Sequence, residues 1–149
     1  MAWPVARDAA VRGGGAPVSG PRVEVHVREE GGKLVFSTQG KRGPRVVRGS
    51  SIRLGAGKHA LIMGMDMSAH PIVLSEQPVG SIDDPGSIDD PARRPWITYP
   101  GSQRRYVEGS RIKIELDEAT AARLKEDGAV LYAGCGLHAG MGSLEIRFG

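Results

Sequence analysis

Cys135, His138 and Met141 fall within one short run, Cys135-Gly-Leu-His138-Ala-Gly-Met141-Gly. They are a thiolate, an imidazole and a thioether, three donors with separate uses. A thiolate binds Cu(II) with strong covalency and also suits Cu(I). Imidazole suits both states, and a thioether is a soft, weak ligand that favours Cu(I). With a second imidazole they make a trigonal site of two His and one Cys with a long axial Met. That compromise geometry changes little between oxidation states and so suits one-electron transfer. Glycines at 136, 140 and 142 let the loop fold tightly enough to bring three side chains to one point. Taken singly, a Cys is often a buried thiol and a Met is often core filler. All three at this spacing, hugging the turn before a terminal strand, favour a metal site.

The second imidazole must come from upstream, from His26, His59 or His70. His26 lies on the polar face of an alternating segment and reads as exposed. His59 opens an apolar run beside Lys58 and reads as a strand-end surface residue. His70 follows a break at Asp66-Met67-Ser68-Ala69 and begins His-Pro-Ile-Val-Leu, so it is placed at a sheet end, where loops gather and sites form. His70 is the expected ligand and His59 the alternative.

Composition narrows the other classes. Cys135 is the single cysteine, so an intrachain disulfide, a multi-Cys zinc site and a four-Cys iron–sulfur cluster are excluded. A Cys135–His138 nucleophile and base would leave Met141 without a role, and nothing else in the loop resembles an oxyanion site, so an enzyme is not expected. The formal charge is +3, and basic residues cluster only in pairs such as Arg93-Arg94 and Arg104-Arg105. That pattern points away from nucleic acid and leaves room for steering an acidic protein partner. No apolar stretch approaches the 18 or so residues of a membrane span.

The elements that must position this loop read as short strands. Among 149 residues there are 22 Gly and 10 Pro, which means many turns, and many turns imply a sandwich or barrel. Residues 1–21 carry a GGG run and little periodicity and read as a flexible leader without the apolar core of a signal peptide. Residues 22–149 form the single expected domain. Val23, Val25 and Val27 alternate with polar residues, and 33–39 reads as their hairpin partner across Gly31-Gly32. Residues 45–54 read as one or two strands around Gly49; 59–67, 70–76, 96–100, 111–116, 129–134 and 143–148 follow. The interruption at about 77–95 contains GSIDDP twice in succession, an exposed loop insertion. Its Asp spacing matches no EF-hand. One helix is predicted over 117–128, capped by Asp117, stopped by Gly128, with Ala121, Ala122 and Leu124 on its apolar side.

The ending LYAGCGLHAGMGSLEIRF resembles the C-terminal copper loop of cupredoxins: a strand, C-x2-H-x2-M in a short amicyanin-like form, then a last strand. His70-Pro71 is similar to the "HP" strand start that carries the upstream histidine in related domains. The specific motifs cover about ten residues, and the general likeness residues 22–149. The resemblance implies an all-β, cupredoxin-like Greek-key β-sandwich of seven or eight strands with one short helix. It implies one copper ion, Cu(I)/Cu(II), with Cys135 as thiolate, His138 and His70 as imidazoles and Met141 as axial ligand. It further implies one-electron transport, an extracytoplasmic (periplasmic) home, and transient docking of a redox partner near His138 over a patch of Leu137, Ala139 and Met141. Copper storage or delivery, and a metal-free interaction domain on the same fold, are the alternatives. The chain departs from the family at Pro71, where Asn is common, and at Gly136 and Leu137, where Ser or Thr and Pro are common. Such changes around the ligands bear on potential and orientation. They could admit a further ligand, Glu76 or water, and a red or green site.

Overall fold

The computed structural model describes residues 22–40, 43–47, 51–65, 67, 70–76, 92–100, 107–136 and 141–149. The leader at 1–21 and the repeat at 80–91 lie outside the described residues. In chain order the elements are β1 (Glu24–Glu30), β2 (Lys33–Gly40), β3 (Gly43–Val46), β4 (Ser51–Leu54), β5 (Gly57–Met63), β6 (Ile72–Ser75), β7 (Ile97–Thr98), β8 (Arg111–Leu116), α1 (Glu118–Glu126), β9 (Val130–Cys135) and β10 (Ser143–Phe148). One sheet has the order β3-β2-β1-β5-β8-β7 and the other β4-β10-β9-β6. The protein is an all-β sandwich with, among the described residues, one short helix, as the turn-rich composition and strand patterns imply.

The described strands number ten rather than seven or eight. Seven or eight was the number the family resemblance implies; the ten include both halves of 45–54, which divides between the sheets, β3 at the edge of the larger and β4 at the edge of the smaller. β7 is a two-residue addition against β8. Successive elements pass repeatedly from one sheet to the other. This brings distant segments together as parallel neighbours, β1 with β5 and β4 with β10.

Period-two patterning decides which face is inside. Val23, Val25 and Val27 point inward with Leu61 and Met63 of β5, Ile112, Ile114 and Leu116 of β8, and Leu144, Ile146 and Phe148 of β10. His26 is exposed, as its place in the alternation requires. Each fully buried Leu or Ile contributes about 1.5–3 kcal/mol by leaving water. Trp96 meets Phe148 edge-on, with ring centroids 5.7 Å apart.

Helix α1 starts where the sequence places it. The Asp117 carboxylate accepts the Thr120 N–H at 2.7 Å, satisfying a first-turn donor that the helix itself leaves open. The helix ends at Gly128, whose φ of 64° suits glycine. Its apolar side is narrower than expected: Ala121 is buried and Leu124 half-buried, but Ala122 faces solvent.

The two ends of the sandwich are distinct. At one end lie the β1–β2 turn, the end of β5, the start of β6 and the β9–β10 connection. At the other lie the β4–β5 turn, the end of β8 and α1. The end of the 77–95 insertion is tied down beside β6. Ala92 N–H donates to the Leu74 carbonyl at 2.7 Å, and the Tyr99 hydroxyl donates to the Ala92 carbonyl at 2.7 Å.

Candidate metal centre

Adjacent antiparallel strands of the smaller sheet deliver two of the predicted ligands. In the β6–β9 ladder Ile72 lies opposite Cys135, which places His70, two residues before Ile72, beside the end of β9. The Gly136 N–H donates to the Pro71 carbonyl at 2.9 Å, extending the contact one step past the ladder. Pro71 has no N–H to give, but its carbonyl joins the histidine segment to the cysteine segment. The His70 N–H donates to the Met67 carbonyl at 3.1 Å, and Met67 itself is buried. His70 is thus fixed from both sides along its own backbone.

The result is a direct approach of two side chains. Cys135 Sγ lies 3.9 Å from His70 Nδ1. Cys135 is 1% exposed, and His70 is half-buried. For one ion bound by a thiolate at about 2.3 Å and an imidazole at about 2.0 Å, with an angle of roughly 110–120°, the two donor atoms stand about 3.5–3.7 Å apart. The observed separation is close to that spacing, so this pair fits a shared first-row metal ion with little movement.

Met141 enters from the β9–β10 connection. It is 5% exposed and belongs to the same buried cluster as Cys135. Its carbonyl accepts the Leu34 N–H of β2 at 2.8 Å, a bond that crosses from one sheet to the other. Gly142 then turns the chain into β10 with φ of 94°, a value other residues rarely adopt. A Cβ there would meet nothing within 4 Å, so conformation rather than space selects glycine. His138, the remaining predicted ligand, lies outside the described residues, as do Leu137 and Ala139. Among the described residues no three of His, Cys, Asp and Glu converge; the described candidate ligands are one imidazole, one thiol and, in Met141, a thioether outside that count.

Three expectations are corrected. His59 is not a surface residue: it is 3% exposed, because it follows the inward period of Leu61 and Met63. It also lies at the wrong end. Its Nδ1 accepts the Val23 N–H at 3.0 Å and its Nε2 meets the Gly55 carbonyl at 2.8 Å, whereas the Met141 carbonyl is bound near Glu29, the ladder partner of Leu34. Val23, just before β1, and Glu29, near its end, are six positions apart in extended chain, about 20 Å. His59 therefore does not share a site with Cys135. Glu76 follows the far end of β6 and pairs with Arg94, so it does not approach the thiol. Met141 is buried, so it adds nothing to an exposed docking patch.

Leu34 and Met67 have positioning roles that sequence reasoning did not assign. Both act through main-chain groups. For Met67, its place three residues before His70 was the available signal, since that spacing suits a turn. For Leu34 no local signal exists, because its partner is over one hundred residues away.

Comparison with protein-family models finds no match for this chain, and comparison with curated proteins finds none either.

Proposed function

We propose that this chain is a mononuclear copper protein of the cupredoxin type that carries one electron, with His70, Cys135, His138 and Met141 holding the ion. The observation that carries this reading is the 3.9 Å approach of His70 Nδ1 to Cys135 Sγ at the ends of paired strands. Bound copper would supply the one-electron Cu(I)/Cu(II) couple. The chain's own contribution is pre-organisation. The β6–β9 ladder sets the thiol–imidazole separation, and the cross-sheet bond from Leu34 sets the backbone of Met141. Donors held by main-chain hydrogen bonds have little freedom to rearrange when charge changes. Burial of Cys135 and Met141 keeps water from the sulfur donors. His138, with Leu137 and Ala139, is the proposed docking point for a redox partner in a small, transient encounter, and the extracytoplasmic home belongs to the same proposal.

Voltammetry of the copper-loaded protein tests the carrier role. The expected result is a fast, reversible one-electron wave. Met141→Gln replaces a soft sulfur donor with a harder oxygen, which favours Cu(II), so the potential falls by about 59 mV for each tenfold change in relative affinity. A slow or irreversible wave, with Cu(I) given up readily to a chelator, would favour storage or delivery instead.

A further inference from the structure

We propose that His59 is an acid-sensitive latch that holds the segment at Val23, just before β1, against the sandwich. The geometry is independent of the candidate metal centre and lies at the other end of the molecule. Val23 is the first inward-facing residue of the described domain. Its N–H donates to His59 Nδ1 at 3.0 Å, and its carbonyl accepts the Ala60 N–H at 3.0 Å. Because Nδ1 accepts a backbone N–H, the ring proton must sit on Nε2, where it donates to the Gly55 carbonyl at 2.8 Å. Both ring nitrogens are used, and only the neutral tautomer with its proton on Nε2 satisfies both contacts.

Protonation puts a second N–H on the ring, directly against the Val23 N–H. Two donors cannot share that contact, so the charged ring must expel Val23. Among the described residues no carboxylate forms a hydrogen bond or ion pair with the ring. On β8 the residue opposite His59 is Ile114, flanked by the exposed Lys113 and Glu115. On either side of Val23, Arg22 and Glu24 pair with each other, and Glu24 with Arg111. On β5 the neighbouring Lys58 is exposed. Burial accordingly holds the His59 pKa below its ordinary 6.5, only partly offset by the Gly55 hydrogen bond. The sign follows from linkage. With the folded pKa lowered, the latch is at full strength above about pH 6.5 and weakens as pH falls toward the folded pKa.

The test is amide exchange and histidine NMR on the full chain between pH 7.5 and 4.5. The opening equilibrium at Val23 is expected to rise about tenfold per pH unit between the unfolded and folded pKa values of His59. The Val23 amide and the His59 ring should titrate with one midpoint, below 6.5. His59→Gln can accept from Val23 and donate to Gly55 without titrating, so it should remove the pH dependence. Constant protection of Val23 down to pH 4.5, or a pH dependence that persists in His59→Gln, overturns the proposal. If that variant fails to fold, the wild-type midpoints decide: separate midpoints for Val23 and His59 reject the latch.

Discussion

Cys135→Ser is expected to lower copper affinity by at least about a hundredfold while leaving the sandwich folded. Loss of a group that merely orients a ligand costs 10–100-fold, and here the anionic ligand itself is removed. The hydroxyl is a harder donor and stays protonated where a thiol would ionise on binding. The substitution is nearly isosteric at a site 1% exposed, and the hydroxyl can still donate toward His70 Nδ1. Competition against a chromophoric chelator measures the affinity, and thermal melting monitors the fold. An unchanged affinity would place any copper elsewhere and favour a metal-free interaction domain.

The second large effect is on stability. Leu61 is 0% exposed on β5. It faces Val25 on one side and Ile112 on the other in the ladder registers. Leu61→Ala removes its burial and leaves a cavity that paired strands on both flanks cannot close. The expected cost is about 3 kcal/mol, against a total of roughly 5–15 kcal/mol for a domain. In a chain of this size that lowers Tm by roughly 6–12 °C. A loss below about 1 kcal/mol in denaturant unfolding would mean that β5 does not run through the centre of the core.

The strands were legible in the sequence because a half-buried strand writes its period into the chain. Val23-Val25-Val27 and Leu144-Ile146-Phe148 each mark one face. The helix was legible from its ends, Asp117 and Gly128. What local pattern does not carry is which strands become neighbours. The parallel β1–β5 and β4–β10 pairs and the split of 45–54 between sheets depend on contacts between distant segments. His59 was misread for a related reason. Its neighbour Lys58 suggested solvent, but the inward period and two main-chain partners, one of them 36 residues away, keep it buried. At the candidate site, donor chemistry singled out Cys135, His138 and Met141, and the strand start at His70-Pro71 singled out His70. The pairing of Cys135 with His70 needed the β6–β9 register, and the exclusion of Glu76 needed the direction of β6.

The most direct test of a two-His, one-Cys copper site is the visible absorption and EPR spectrum after one equivalent of Cu(II). The expected result is an intense thiolate-to-copper band toward the red end of the spectrum, lost in Cys135→Ala. A band toward the blue end would keep the Cys135 ligand and require a different geometry. The absence of any charge-transfer band would contradict the copper site and with it the electron-carrier role.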